Sequence, residues 1–327
     1  MKQYIVLFFL LISRPLEANV WGFYAHQLIN RMAVFSLPAE MIGFYKHNIQ
    51  YITENAVNPD RRRYAVKDEA ARHYIDAEAY GDSSLYKLPR YWNEALKEYP
   101  ADTLNEYGIV PWHVNRIRHR LTDAMQVMDA SAILRLSADL GHYIADANVP
   151  LHTTANYNGQ LSNQHGIHGL WESRLTELFA KEYNFFVGKA TYLDDPQLEI
   201  WSAVIRAHEC LDAVFSIEKE LTEKFGPDKK YSFESRGNQT IKVYSYSFSE
   251  AYHAALQGMV EQQMVQSVKM VADFWYTCWV NAGQPRLDKL IDFEFSKEEL
   301  DLRKKELEDW KNKKYKSRPH DIGDDAG

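Results

Sequence analysis

The stretch Gly141-His142-Tyr143-Ile144-Ala145-Asp146-Ala147-Asn148-Val149-Pro150-Leu151-His152 carries three side chains able to ligate a metal ion. His142 and Asp146 lie four apart, so on a helix they stand one above the other on one face. Pro150 disfavours helical geometry in the residue before it, so the chain leaves the helix there and brings in His152 from another direction. Sixteen residues later His168 and Glu172 repeat the four-residue spacing. One such pair alone is an ordinary helix-surface interaction. Two pairs flanking a third His within 31 residues form a dense set of nitrogen and oxygen ligands suited to zinc. Paired metal ions lower the pKa of a bridging water, hold the hydroxide in line with phosphorus and stabilise a leaving oxygen. Phosphodiester hydrolysis by such a centre needs charge neutralisation and positioning more than an organic nucleophile, so no Ser-His-Asp triad or catalytic Cys is required.

Composition agrees with a metal centre free of sulfur, because the 327 residues include 12 His but only 2 Cys. With 46% hydrophobic and 25% charged residues, 15 Gly and 11 Pro, the chain is neither collagenous, low-complexity nor globally disordered. A net charge of −7 does not favour a polyanionic partner, although bound cations make a site locally positive whatever the sum over the chain. His47, His113, His119, His208, His253 and His320 lack a paired carboxylate at metal-like spacing and are assigned to surface or core. His165 is left out because, unlike His168, it is not four residues from Glu172. The aromatic cluster Phe274-Trp275-Tyr276 with Trp279 has helical core spacing and reads as packing.

The elements that must position these groups are helices. Ile133, Leu136, Leu140 and Ile144 recur at spacings of three and four behind a plausible N-cap, Asp129, which predicts a helix from Asp129 to Val149. Similar periodicity predicts helices over Ala25–Phe35, Pro38–Tyr51, Val114–Met128, His168–Tyr183, Leu198–Lys224 and Ser249–Ala282. Gly226 to Tyr244, with Pro227, Gly237 and several charges, reads as a long loop or small insertion. Residues 1–20 read as a secretory signal peptide: Lys2 precedes an apolar run from Tyr4 to Ile12 that is too short to span a bilayer. In an oxidising compartment Cys210 and Cys278 have the option of pairing, which their separation does not decide. The expected organisation is one all-α helical domain over 21–295, then a charged helix fraying into a tail over 296–327.

The run from His142 to Asn156 resembles the zinc signature of the bacterial zinc-dependent phospholipases C, relatives of the single-strand-specific zinc nucleases of fungi and plants. It has His-Tyr, Asp, Pro, His and Asn at the relative spacings of that family. Trp21-Gly-Phe-Tyr-Ala-His26 looks like the nuclease form of the family's mature N-terminus, whose Trp binds zinc through its free amino group and carbonyl. The resemblance extends from Trp21 to about Leu178 and implies a helical-bundle domain with three zinc ions per chain. By resemblance Asp60, His73, His142 and Asp146 would hold the first zinc, with Trp21, His26 and the bridging Asp146 on the second. The third would fall to His152, His168 and Glu172. Asp60 to His73 is one residue short of the phospholipase spacing, which leaves Asp68 as a substitute for Asp60. The same resemblance places Asp60 and Asp146 in the catalytic centre and suggests Arg63 of the Arg61-Arg62-Arg63 triplet as a phosphate contact, since a guanidinium fork matches phosphate. Asn156 is expected to bond either the site loop or the substrate. The implied protein is an exported, monomeric zinc hydrolase of phospholipid, in transient contact with a membrane surface. The alternatives are a single-strand-specific endonuclease and a zinc-stabilised binding protein without turnover.

Overall fold

The computed structural model describes residues 23–63, 66, 68–81, 83–236 and 239–312. Trp21, the expected leader and the end of the expected tail lie outside these residues. The described chain is all-α apart from one antiparallel hairpin, and its apolar side chains form a continuous core. No described helix is long and apolar enough to cross a membrane.

The helix that carries the metal-ligand motif runs over Ala130–Asp146 and is central: 14 of its 17 residues are buried. Asp129 caps it, its Oδ1 accepting from the amide of Ala132 at 3.0 Å. The helices Phe23–Ala33, Val110–Gln126 and Met259–Asn281 pack around it. Trp275 of the last of these donates to the carbonyl of Ser137, while its ring stacks on Tyr45, whose hydroxyl bonds Ser137 Oγ at 2.9 Å. The 274–279 aromatics therefore belong to the core, as their spacing implies.

Several predicted helices are interrupted where the apolar periodicity continues. The 198–224 segment is two helices, Pro196–Glu209 and Leu211–Phe225, joined at Cys210. The 249–282 segment divides into Tyr246–Ala255 and Met259–Asn281 around Gln257 and Gly258, both with positive φ. Likewise 38–51 breaks at Asn48, whose side chain bonds back to the carbonyl of Phe44. The two cysteines are free thiols and form no disulfide.

Of the two readings of Gly226–Tyr244, a long loop or a small insertion, the loop is corrected: a short helix, Pro227–Lys230, leads into a hairpin, strand Tyr231–Arg236 against Gln239–Tyr244, with Tyr231 opposite Tyr244. Aromatic and β-branched residues at Tyr231, Thr240, Ile241, Val243 and Tyr244 favour a pleated, half-buried surface. An isolated two-stranded hairpin is marginal, so docking holds it. Lys230, buried at its base, pairs with Glu218 at 2.7 Å beneath the rings of Tyr231, Tyr244 and Phe248.

The charged C-terminal segment begins as expected, with a helix over Lys297–Lys311 and a Ser296/Glu299 capping box. It is not merely a solvated appendage. Trp310 meets Phe23 with ring centroids 6.0 Å apart, and the Arg61 guanidinium lies 5.5 Å from each of these rings.

One close approach sets the position of the first helix on the central one. A Cβ on Gly141 would lie 1.9 Å from Oδ1 of Asn30, a fully buried side chain tethered through Nδ2 to the carbonyl of Ala138 at 3.0 Å. Asn30 cannot easily swing away. Gly141→Ala is therefore expected to destabilise the protein by about 1–3 kcal/mol through overpacking and to lower its metal content, since His26 and His142 sit on the two separated helices. Chemical denaturation and metal analysis of the purified variant check both effects, and a fully stable variant with unchanged metal content contradicts the account.

Candidate metal centre

Five histidines and three carboxylates converge at the C-terminal end of the central helix. His142 and Asp146 come from that helix, and His26 from Phe23–Ala33 stacks on His142 with ring centroids 4.0 Å apart. Asp60 belongs to the short helix Asn58–Arg62, opened by Pro59 near its N-terminus. His73 ends the 3₁₀ turn Ala70–Arg72, and His152 lies in the 3₁₀ turn Pro150–Thr153. The central helix stops at Asp146, short of the expected Val149, and Val149 is extended as the following proline demands. Glu172 sits in a π-helical turn, Gly169–Arg174, within the predicted 168–183 helix. Such wide turns recur at functional sites.

The ligand atoms meet closely. His73 Nδ1, His142 Nε2 and Asp146 Oδ2 are 2.9–3.2 Å apart, and Asp60 Oδ1 is 3.7 Å from each of the two histidine nitrogens. Tetrahedral ligands at a bond length of about 2.0–2.1 Å lie about 3.3 Å from one another, so the separations of His73 and His142 from each other and from the two carboxylates are of the size one such ion requires. His152 Nε2 and His168 Nε2 approach to 3.0 Å, and Glu172 Oε2 lies 2.7 Å from His168 and 3.5 Å from His152. Two bare imidazole nitrogens facing each other repel unless a proton or a cation lies between them. His26 Nε2 reaches Glu172 Oε1 at 3.1 Å and Asp146 Oδ1 at 3.5 Å. Three groups, His26/His142/Asp146, Asp60/His73/His142 and His152/His168/Glu172, are thus placed to bind metal ions. The remaining expected ligand, Trp21, is outside the described residues.

Outer hydrogen bonds select the nitrogens that face inward. His142 Nδ1 donates to the carbonyl of Ala56 at 2.9 Å, and His152 Nδ1 to that of His73 at 2.7 Å, which leaves Nε2 of each directed at the centre. Burial opposes a positive charge on His142, but Asp146 and Asp60 outweigh it and hold its pKa up at about 9. The same contest, with Asp146 and Glu172 as the anions, puts His152 at about 9. For His73 burial prevails over Asp146, and the pKa falls. Asp146 and Glu172 are held well below the usual carboxylate range in spite of burial, by His142 and His152 for the first and by hydrogen bonds from His152, His168 and His26 for the second.

The arginine triplet divides by direction. Arg61 is held between Phe23 and Trp310, and Arg62 forks onto Asp139 at 2.9 and 3.2 Å. Arg63, the expected phosphate contact, caps the Asn58–Arg62 helix and is half-buried. Of the two roles for Asn156, the structure displays the loop one: its Nδ2 donates to Ser162 Oγ at 2.9 Å and its Oδ1 accepts from the amide of Leu161 at 2.8 Å. Asp68 is exposed, and Asp60 is the carboxylate that meets His73 and His142. His165 is exposed too, and gives only its carbonyl to Tyr244. His113 is a core residue, packed edge-on against Tyr143 and pushed far down in pKa by burial and by Arg72.

Sequence reasoning did not single out the buried shell behind His73, made of Glu69, Tyr143, Arg62, Arg72 and Asp139. Nor did it find the polar post beneath the His168 loop, where Gln164 Nε2 donates to Glu218 Oε2 at 2.6 Å and to the carbonyl of Phe215 at 2.8 Å. A scan against protein-family models and a search of curated proteins find no match to the chain.

Two outcomes follow. Asp146→Asn, which weakens a carboxylate shared by two groups, should remove the equivalent of two bound ions in metal analysis, whereas loss of one or none argues against sharing. In chelated protein His142 and His152 titrate above their ordinary value of 6.5. Their contribution to stability is complete below about pH 6.5 and is lost as pH rises through about 9. Asp146 and Glu172 have the opposite sense: their contribution is present above the ordinary values of 3.8 and 4.5 and is lost as pH falls below them. Tm of the chelated protein should therefore fall between pH 6.5 and 9, while metal affinity rises over that window because the ion displaces the same protons. A flat or rising Tm there contradicts the assignment.

Proposed function

We propose that the chain is an exported trinuclear zinc hydrolase of phosphodiester bonds, most closely a phospholipase C that releases diacylglycerol and a phosphorylated headgroup. The observation that carries this is the division of each buried carboxylate between neighbouring groups. Asp146 gives Oδ2 to His73 and His142 and Oδ1 to His26, and Glu172 gives Oε1 to His26 and Oε2 to His152 and His168. A structural zinc site instead uses four closed ligands around one ion. His152, His168 and Glu172 provide three, the number typical of an open catalytic site.

Zinc bound by these groups would supply Lewis acidity, activating water and neutralising phosphate charge. The protein's own part is to orient and to accept protons. Asp60 and His168, with side chains 24% and 25% exposed, are the least buried of the described ligands and mark the side from which substrate and water arrive. Asp60 turns Oδ1 toward His73 and His142, which leaves Oδ2 as the acceptor for the proton of attacking water. Arg63, one turn from Asp60, would grip a nonbridging phosphate oxygen. Residues 1–20 direct export under this reading, and the substrate is met at a membrane surface by a monomer that has no spanning helix among the described residues.

The deciding experiment is a side-by-side assay of phosphatidylcholine and single-stranded DNA with added zinc and a chelator control. Zinc-dependent release of phosphocholine is expected. Cleavage of DNA alone replaces the lipid reading with the nuclease one, and hydrolysis of neither favours a zinc-stabilised binding protein.

A further inference from the structure

Behind the metal ligands lies a carboxylate that the proposed chemistry does not use. Glu69 is fully buried, four residues before His73. Its Oε1 accepts from the hydroxyl of Tyr143 and lies 3.6 Å from Arg62 Nη2, while Oε2 lies 2.5 Å from Arg72 Nη1. Arg62 is itself fixed by its fork onto Asp139. Two arginines thus balance two buried carboxylates, and the guanidinium groups of Arg62 and Arg72 favour the ionised form of Glu69 against the penalty of burial.

The His73 ring lies between this anion and the metal groups. Its Nδ1 is surrounded by Asp146 Oδ2, His142 Nε2 and Asp60 Oδ1. On the opposite edge Nε2 is buried without a hydrogen-bond partner, and the nearest carboxylate oxygen is Glu69 Oε1, 3.9 Å away. A neutral imidazole carries one proton, and a ligand nitrogen must be bare. His142 and His152 fix their tautomers by donating to main-chain carbonyls, but His73 has no such acceptor among the described contacts.

We propose that Glu69 is a positioning residue for the metal centre: its negative charge holds the His73 proton on Nε2 and keeps Nδ1 bare toward Asp60, His142 and Asp146. This rests on the metal centre proposed above. Tyr143, directly after one ligand, and Arg62, two residues after another, tie the orienting anion to the same segments that supply the ligands. The shell and the centre are therefore built from one set of elements, and a change in either displaces the other.

The test combines calorimetric titration of zinc into chelated full-length protein with ¹⁵N spectra of its histidine rings, for the wild type, Glu69→Gln and Glu69→Asp. The glutamine variant keeps the shape and removes the charge. It should weaken the site containing His73 by roughly ten- to hundredfold, leave the His152/His168/Glu172 site unchanged and move part of the His73 proton to Nδ1. The aspartate variant, which restores the charge, should recover most of the affinity. A merely structural role would weaken all sites together without rescue by charge. A folded Glu69→Gln protein with wild-type zinc affinity overturns the proposal. If that variant does not fold, the wild-type spectrum decides, since His73 protonated at Nδ1 in zinc-loaded protein overturns the role of Glu69 alone. A wild type that binds no zinc overturns the metal reading beneath it.

Discussion

Two carboxylates buried among imidazoles, Asp146 and Glu172, are the constraint around which the rest of the molecule is arranged. An isolated carboxylate in a protein interior is strongly unfavourable, and the usual escape is neutralisation by a proton. Here the histidines prevent that escape by stabilising the anions, and the anions in turn hold protons on His142 and His152. Protons and a divalent cation are alternative solutions to the same electrostatic problem. A fold that supplies both carboxylates and the surrounding nitrogens is poised to exchange one for the other.

Holding so many polar groups together requires rigid apolar support. The central helix is buried nearly all round, which an amphipathic surface helix would not be, and the large side chains Tyr45, Trp275 and Tyr143 fix its rotation. The third group depends on more distant parts. Gln164 leads into the His168 segment and hangs from Glu218, which the buried Lys230 neutralises at the foot of the hairpin. Arg174, at the end of the π-helical turn, pairs with Glu234 on the same hairpin. The hairpin is thus a brace for the Glu172 turn.

Much of this was legible in the sequence because local rules governed it. The cap at Asp129, the exit at Pro150 and the i, i+4 pairs follow from residue types a few positions apart. The hairpin was not legible, since its stability comes from Lys230, Glu218 and aromatic neighbours brought in by tertiary contact. Helix breaks at Cys210 and Gln257 were hidden for a similar reason: apolar periodicity runs through them although the chain turns. Glu69 was within reach. Glu69 and His73 repeat the four-residue spacing of the other pairs in reverse order, and a search for carboxylate-x3-His as well as His-x3-carboxylate would have found it. The three arginines could not be told apart by sequence, because only the fold decides that Arg61 lies against Phe23 and Trp310 and that Arg62 forks onto Asp139.

The clasp of Trp310 on Phe23 and Arg61 carries a consequence for the order of assembly. It joins positions far apart in the sequence, and contacts of such long separation meet a large loop-closure cost. During synthesis the ligands from His26 to Glu172 emerge long before residue 310, so the corner that bears Asp60 and the arginine triplet lacks its last wall until Trp310 has been made. Every described metal ligand is therefore made before that corner of the centre can be finished.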